Sequence, residues 1–209
     1  DPFCGSGTIA IEAASIACGL VPGISRSFGF EKLLNFDREL WTELREDAKS
    51  EVNLHREVSI TASDISSIVV RKAEANALRA GLGGLLESGN LKFSVCDARN
   101  VLPPTETPGI IVANPPYGEQ STPRSATVGS MMRHVADNLK HNFAGWTAWM
   151  LTSDRHLPGE MHLKEGRKTV LFNGPLECRF FKFDLVAGSN RRVKNRDAAS
   201  DSTPSDAES

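Results

Sequence analysis

The pattern with the most specific chemical meaning in this chain of 209 residues is Asn114-Pro115-Pro116-Tyr117. It directly follows Ile110–Ala113, an apolar run that predicts a buried strand. Because proline has no amide hydrogen and stiffens the backbone, the Asn114 side-chain oxygen and the Pro115 carbonyl are free to accept from one amino group. An exocyclic amine on a base, or an amide, is a poor nucleophile because its lone pair is conjugated. Two acceptors that hold its hydrogens favour a more tetrahedral nitrogen, which frees the lone pair for attack.

The tyrosine of this pattern has a separate predicted role, which is stacking. Tyr117 is the only tyrosine in the chain, and its ring can stack on the flat group that carries the amine. The competing interpretation is a rigid turn in which Tyr117 packs into the core. The strand before the pattern and a glycine-rich loop upstream favour the chemical interpretation. The sequence therefore predicts a catalytic loop that consists of Asn114, Pro115, Pro116 and Tyr117.

A glycine-rich turn, DPFCGSG at residues 1–7, leads directly into a helical pattern that begins at Thr8. Glycine lets the backbone adopt positive φ and approach a ligand closely. The N-terminus of the helix offers unpaired amides and the positive end of the helix dipole. Residues 5–10 also fit the GxGxxA dinucleotide fingerprint, which requires an acid about 20 residues further on. The next acid at a strand end is Asp64, so a dehydrogenase is disfavoured.

Two further carboxylates follow predicted strands. Asp64 follows Val58–Ser63, and Asp97 follows Leu91–Cys96. An acid at the first place can accept from both ribose hydroxyls of an adenosine moiety, and one at the second place can accept from an adenine amino group. The alternative for Asp64 is a cap for the helix that begins nearby. Since ligands bind at the carboxyl edge of a parallel sheet, we expect Asp1, Asp64 and Asp97 to lie there.

Apolar runs of strand type alternate with helical patterns along the chain. The predicted strands are Val58–Ser63, Leu91–Cys96, Ile110–Ala113, Thr147–Thr152, Lys168–Phe172 and Glu177–Leu185, and the predicted helices are Thr8–Cys18, Arg38–Leu54, Ile68–Ala80 and Ser130–Phe143. This alternation implies right-handed crossovers and a mostly parallel sheet. Only residues 173–176 separate the last two strands, which predicts a hairpin. An α/β, Rossmann-like sheet that ends in a C-terminal antiparallel hairpin is typical of class I methyltransferases.

The composition excludes several other classes of protein. With 40% hydrophobic and 24% charged residues the chain can build a globular core. No apolar run reaches the roughly 20 residues of a membrane span, so no membrane partner is expected. The four cysteines form no CxxC pair and the five histidines show no metal-ligand spacing, so we expect neither a disulfide framework nor a metal site.

The charge is unevenly distributed. The formal net charge is -2, but residues 197–209 alone carry -4, so the remainder of the chain carries +2. A body of this charge is compatible with an RNA substrate without requiring one. Residues 197–209 lack large apolar residues, and we expect the polar segment 193–209 to be disordered. Residues 1–192 then form the single catalytic domain.

Several segments together resemble one known family. They are Asp1–Ala14, Asp64-Ile65 with residues 71–77, Asn114–Glu119, Leu176–Arg179 with Phe181-Lys182, and the Pro22-Gly23 connector. They resemble the RNA methylases that carry a THUMP domain, in particular the RlmL-type guanine-N2 methyltransferases of large-subunit ribosomal RNA. Such chains are often labelled adenine-N6 DNA methylases, because the Asn-Pro-Pro-Tyr pattern is shared. The resemblance covers about residues 1–192.

The resemblance implies a function and a set of ligand contacts. It implies methylation of an amino group of a ribosomal RNA base, guanine N2, with S-adenosylmethionine as the methyl donor. It implies that the residues around the donor are Asp1, Pro2, Gly5, Ser6, Gly7, Asp64, Ile65, Asp97, Ala98 and Asn114. The THUMP domain that grips RNA in the family, and the strand that should precede Asp1, are expected to lie outside these residues. The expected location is the cytoplasm, or an organelle if a transit peptide was removed.

Two alternatives remain open at this point. The same four-residue pattern serves adenine-N6 and protein-glutamine methylation, so the acceptor is not fixed by Asn114–Tyr117 alone. A non-catalytic RNA-binding or assembly module could also keep this fold, although the intact loop argues against it. The sequence makes no prediction about the oligomeric state.

Overall fold

The structure, a computed structural model, describes residues 1–24, 26–117 and 125–186. The helices are α1 (Thr8–Ala17), α2 (Arg38–Ser50), α3 (Ser67–Arg79), α4 (Gly83–Ser88), α5 (Ser125–Asn142) and α6 (Leu157–Met161). The strands are β1 (Ile60–Asp64), β2 (Leu91–Val95), β3 (Ile110–Ala113), β4 (Thr147–Thr152), β5 (Arg167–Asn173) and β6 (Leu176–Asp184). A short 3-10 helix, Gly29–Lys32, precedes α2. None of the helices in these ranges is long and apolar enough to cross a membrane.

The strands form two hydrogen-bonded ladders. β1 and β2 pair in parallel, and the second ladder has the order β3-β4-β6-β5. β3 and β4 are parallel, whereas β6 runs antiparallel to both β4 and β5. The last two strands turn at Gly174, whose φ of +60° glycine adopts without strain. The predicted α/β class, with a parallel part and a C-terminal antiparallel hairpin, is confirmed.

The second half of the chain is built around α5. Its apolar residues recur every three or four positions, which places them on one face of the helix. Met132, Val135 and Leu139 on this face are completely buried. They belong to one cluster with alternate residues of the neighbouring strands, namely Ile111, Ala113, Ala148, Met150, Phe181 and Phe183. The period of two in the strands and of 3.6 in the helix therefore produces a continuous core.

The first half uses small residues to bring α1 and α3 close to the sheet. Ala14, Ala73 and Ala77 are completely inaccessible to solvent, and Ala10 is almost so. Larger residues around α4 and β2, among them Leu85 and Leu91, complete this second cluster. Close helix packing fixes the position at which α1 begins, and hence the place of the glycine-rich turn.

An apolar cleft of about 550 Å³ lies between β1 and β3, with α1 forming part of its wall. Residues 1–4 pair with β1 beside this cleft in the manner of a parallel neighbour. The Asp1 amino group donates to the Thr61 carbonyl at 2.9 Å, and the Ser63 amide donates to the Asp1 carbonyl at 2.8 Å. Because the cleft separates the edges of β1 and β3, the sheet predicted as continuous is divided into two ladders.

The observed elements differ from the predicted ones mainly at their ends. β1 begins two residues later than expected and includes Asp64, α2 ends at Ser50, and α5 begins at Ser125. The short helices α4 and α6 were not predicted, because α4 begins with two glycines and α6 contains Pro158 and Gly159. The predicted disordered tail, residues 193–209, lies outside the described residues.

Candidate active site

The glycine-rich turn is fastened to the end of β1. The Gly5 amide donates to Asp64 Oδ2 at 3.1 Å, and the Gly7 amide donates to the Cys4 carbonyl at 2.8 Å. Gly7 is the N-cap of α1 with a φ of +88°, and no side chain caps the helix. The amides of the first turn of α1 are therefore available to a ligand at the positive end of the helix dipole.

The two glycines of the turn are needed for different reasons. A Cβ on Gly7 would lie 2.9 Å from the Ala73 Cβ and 3.2 Å from the Phe93 ring. Gly7 is thus required by the close packing of the turn against α3 and β2. Gly5 has a φ of +53°, but a Cβ there would meet nothing within 4 Å. The backbone at Gly5 therefore faces open space, as it would if a ligand were to lie against it.

Asp64 joins the turn to the start of the next helix. Its Oδ2 accepts from the Gly5 amide, and its Oδ1 accepts from the Ser66 amide at 2.9 Å. The N-cap of α3 is Ser66 and not Asp64, and Ser66 makes no side-chain cap itself. Each oxygen of the Asp64 carboxylate can still accept a further hydrogen bond from a ligand.

Of the two oxygens of the Asp1 carboxylate, one has a hydrogen-bond partner among the described residues and the other has none. Its Oδ1 accepts from the Phe3 amide at 3.0 Å. Its Oδ2 is buried and has no hydrogen-bond partner within the part of the chain that the structure describes. An unpaired buried carboxylate oxygen is costly, and a cationic group would relieve that cost. The α-amino group of S-adenosylmethionine is such a cation and can donate a hydrogen bond to this oxygen.

Asp97 forms an ion pair with Arg99 on the same loop. The Arg99 guanidinium contacts both carboxylate oxygens, with Nε 2.9 Å from Oδ1 and Nη2 2.5 Å from Oδ2. The Arg99 amide also donates to Oδ1 at 2.9 Å. Hydrogen bonds from Arg99 hold the pKa of the Asp97 carboxyl below its usual value. A contact between Asp97 and an adenine amino group therefore requires the Arg99 side chain to move.

The remaining residues predicted to surround the cofactor contribute in different ways. Pro2 is buried beneath the turn, and the Ser6 carbonyl accepts from the Asn76 side-chain Nδ2 at 2.8 Å. Ile65 is 69% exposed just past the end of β1, where an apolar ligand surface could cover it. Ala98 belongs to the core cluster around α5, so its backbone, and not its methyl group, can face a ligand.

Cys4 lies inside the turn but is not a reactive nucleophile. Burial raises the pKa of its thiol to about 11, and the nearby Asp64 carboxylate acts in the same direction. At neutral pH the group is therefore the thiol and not the thiolate, and only the thiolate attacks. No covalent intermediate on Cys4 is indicated.

The Asn114–Tyr117 loop begins where β3 ends. Asn114 is exposed, Pro115 is buried, and Tyr117 is half-buried. The Tyr117 hydroxyl donates to Asn114 Oδ1 at 2.6 Å. Asn114 Oδ1, predicted to accept from the target amine, thus already accepts one hydrogen bond, and its second lone pair remains available. The ring of Tyr117 was predicted to stack on a base, and its link to Asn114 was not predicted.

The hydroxyl of Tyr117 also reaches the C-terminal hairpin. Cys178 Sγ lies 3.9 Å from Tyr117 Oη and acts as a weak donor to it. Burial raises the pKa of Tyr117, and Cys178 raises it further, although Asn173 opposes this shift. The hydroxyl therefore keeps its proton at neutral pH and acts as a donor to Asn114.

Reasoning from sequence assigned no role to two buried residues, of which Cys178 contacts this loop. Cys178 lies in the predicted strand Glu177–Leu185 and in the segment Leu176–Arg179 of the family resemblance, but neither assigned it to the site. Ser153 follows β4, and its buried hydroxyl has no hydrogen-bond partner among the described residues. A polar residue directly after an alternating strand is the one signal that marks Ser153, and it is a weak one.

The predicted site residues follow strand ends at one edge of the sheet. Asp64 is the last residue of β1 and pairs with Val95 of β2. Asp97 lies two residues after Val95. Asn114 directly follows Ala113, the last residue of β3. Asp64 and Gly5 are brought into direct contact. Within the described ranges, neither Asp97 nor Asn114 makes a side-chain hydrogen bond to Gly5 or Asp64.

Comparison with known families gives a match over most of the chain. The model of the RMKL-like methyltransferase domain matches residues 1–182. This range includes every predicted site residue described above.

Curated relatives are similar across nearly the whole sequence. A protein of Shewanella baltica (strain OS155), named ribosomal RNA large subunit methyltransferase K/L, is 41% identical over 199 residues, which is 92% of this chain and 27% of that protein. A protein of the same name from Shewanella loihica is 40% identical over 200 residues. The chain thus spans about a quarter of the length of these relatives.

Three solved structures share the fold at detectable sequence identity. A protein of Clostridium difficile 630, described as a methylase, has a TM-score of 0.80 and 31% identity, covering 90% of this chain and 48% of that one. SMU.472, described as a methyltransferase and solved with S-adenosylhomocysteine (SAH), has a TM-score of 0.80 and 28% identity, with the same coverage. A predicted N6-adenine-specific DNA methylase of Listeria monocytogenes has a TM-score of 0.76 and 29% identity, covering 88% and 45%.

Proposed function

Because this chain belongs to the RMKL-like methyltransferase family, we propose that it methylates an exocyclic amino group of a base in large-subunit ribosomal RNA. The proposed methyl donor is S-adenosylmethionine, and the proposed acceptor is guanine N2. The reaction class is inferred from one observation, the position of Asn114–Tyr117 directly after β3, a strand that lines the same cleft as Asp1 and Pro2 at the start of the glycine-rich turn.

The RNA substrate is inferred from the relatives. Proteins about 41% identical to this chain are named ribosomal RNA large subunit methyltransferase K/L, and the family model matches residues 1–182, which include the glycine-rich turn and the catalytic loop. This chain covers 27% of such a relative. We therefore propose that other parts of the full-length protein contribute most of the RNA binding, in keeping with the expected THUMP domain.

Three groups of the first half fit the cofactor. The unpaired Oδ2 of Asp1 suits a cationic amino group. The open backbone face at Gly5 and the free amides of α1 suit a polar group close to the turn. Asp64 retains acceptor capacity for ribose hydroxyls, and Ile65 offers an exposed apolar surface beside it. Bound S-adenosylmethionine supplies an electrophilic methyl group on a sulfonium.

The second half supplies the groups for the acceptor. Asn114 Oδ1 and the Pro115 carbonyl accept the two hydrogens of the target amine, which draws its lone pair out of conjugation. The interaction strengthens as the nitrogen becomes tetrahedral, so it stabilises the transition state more than the bound substrate. The Tyr117 ring covers the flat face of the base, and its half-buried position leaves a face free for this.

A second acceptor, adenine N6, is favoured by one specific observation. The structural neighbour from Listeria is described as a predicted N6-adenine-specific DNA methylase. Adenine N6 and guanine N2 are both conjugated exocyclic amines, so the pair of acceptors on Asn114 and Pro115 suits either. A glutamine side-chain amide has the same conjugation but no ring for Tyr117 to stack on.

Mass spectrometry of ribosomal RNA nucleosides tests the proposal. We expect cells that lack the full-length protein to lose one N2-methylguanosine, and purified full-length protein with S-adenosylmethionine to restore it. Loss of N6-methyladenosine instead would favour the second acceptor. An unchanged nucleoside profile, together with no heat of S-adenosylmethionine binding in calorimetry, would favour a non-catalytic RNA-binding module.

A further inference from the structure

The hydroxyl of Tyr117 lies against a buried thiol of the C-terminal hairpin. Cys178 on β6 is completely buried, and its Sγ lies 3.9 Å from Tyr117 Oη. Cys178 directly precedes Arg179, the residue of β6 that pairs with Thr152 at the end of β4. The thiol therefore lies at the end of the ladder that β4 and β6 form, in contact with the catalytic loop.

Burial gives this contact its significance. Solvent does not reach the Cys178 side chain, so its thiol finds a hydrogen-bond acceptor within the protein, at the Tyr117 hydroxyl. The contact therefore holds the hydroxyl from the side of β6.

The Tyr117 hydroxyl connects Cys178 to Asn114. It donates to Asn114 Oδ1 at 2.6 Å while the Cys178 thiol donates weakly to it. A hydroxyl that accepts on one side and donates on the other has a fixed O–H direction. The oxygen and nitrogen of an asparagine amide have nearly the same shape, and their hydrogen bonds decide which end points where. The Tyr117 donor thus determines where Asn114 presents its oxygen.

We propose that the Tyr117 hydroxyl is a positioning group for methyl transfer, held by Cys178 and fixing the orientation of the Asn114 amide. This rests on the proposed function, in which Asn114 Oδ1 accepts from the target amine. One lone pair of Oδ1 serves Tyr117 and the other serves the amine. The hydroxyl thereby has a task separate from the stacking of its ring, and β6 takes part in catalysis through Tyr117.

Conservative variants of the full-length protein separate the hydroxyl from the ring. Tyr117→Phe keeps the ring, and we expect its single-turnover rate on ribosomal RNA to fall about five- to tenfold, as for loss of one hydrogen bond. The RNA concentration at half-maximal rate and the affinity for S-adenosylmethionine should not change. Cys178→Ala should lower the rate in the same direction, and Cys178→Ser should restore it because a hydroxyl can also donate.

The matched control is Cys18→Ala, which removes an equally buried thiol from the core cluster of the first half. We expect it to leave the rate unchanged. A wild-type rate in Tyr117→Phe would overturn the positioning role, as would equal losses in Cys178→Ala and Cys18→Ala. If the wild-type protein binds S-adenosylmethionine but transfers no methyl group to ribosomal RNA, the proposed function fails first, and the positioning role fails with it.

Discussion

Asp64 is the residue that most tightly couples the fold of the first half to its chemistry. Its two oxygens accept from the Gly5 and Ser66 amides, so one side chain joins the glycine-rich turn to the start of α3. The same carboxylate lies where the ribose of an adenosine moiety is expected. Removal of its charge therefore affects both the shape of the turn and the affinity for the cofactor.

We expect Asp64→Ala to weaken S-adenosylmethionine binding about tenfold or more, since a hydrogen bond to a charged group contributes roughly 1.5–3 kcal/mol. Calorimetry on the variant measures this. Asp37→Ala is the control, because Asp37 caps α2 through the Leu40 amide and lies away from the site. It should lower the melting temperature without changing the affinity. Equal affinities in wild type and a folded Asp64→Ala variant would exclude the ribose role.

Residue types and spacing identified the candidate groups but not their local partners. The sequence shows an acid after each of the first two strands, and the structure places these acids at the same edge. It cannot show that Arg99 engages Asp97 or that Tyr117 engages Asn114. Those contacts depend on side-chain rotamers and on how closely β6 approaches the loop, which are properties of tertiary packing.

At the scale of elements, the turn before α1 depends on two glycines with different surroundings. Gly7 packs against Ala73 and Phe93, whereas Gly5 has open space where a side chain would begin. Both have positive φ, which costs a residue with a Cβ roughly 1–2 kcal/mol.

We expect Gly7→Ala to lower thermal stability far more than Gly5→Ala, because the new Cβ would lie 2.9 Å from Ala73. Gly5→Ala should carry only the backbone strain but should weaken cofactor binding, since the methyl group enters the open space. Thermal unfolding and calorimetry of the two variants distinguish these effects. Equal melting temperatures would show that the turn does not depend on close packing at Gly7.

Elements with a clear apolar pattern could be predicted, whereas helices that contain glycine or proline could not. The predicted bounds of β3 and β4 agree with the structure, because their apolar patterns are clear and turn residues flank them. α6 has five residues, two of which are Pro158 and Gly159, so only packing beneath α5 makes it a helix. The early end of α2 at Ser50 likewise follows from tertiary context.

At the scale of the whole molecule, the cleft between β1 and β3 can accommodate one further strand. The alternation of β1 directs the Thr61 amide toward the cleft, and the alternation of β3 does the same for the Ile110 and Val112 amides. The walls are largely apolar, and Ile110 is 67% exposed. We propose that one apolar parallel strand of the full-length protein, continuous with Asp1, fills the cleft and joins the two ladders.

In a protein that carries this strand, the amides of Thr61, Ile110 and Val112 should exchange hydrogen slowly, because all three would then be bonded. In residues 1–209 alone they should exchange quickly. The melting temperature should also be higher in the longer protein. Equal exchange rates at these amides in both proteins would show that no strand occupies the cleft.

If Asn114 activates an exocyclic amine for methyl transfer, removal of its side chain must slow the chemical step itself. Single-turnover methyl transfer to ribosomal RNA is measured for the full-length protein and for Asn114→Ala, with Asn142→Ala, an exposed asparagine at the end of α5, as the control. We predict that Asn114→Ala lowers the rate roughly a hundredfold to a thousandfold, as for loss of one preorganised transition-state group. Its affinity for S-adenosylmethionine should change little, and Asn142→Ala should behave as wild type. A near-normal rate for Asn114→Ala would contradict the account.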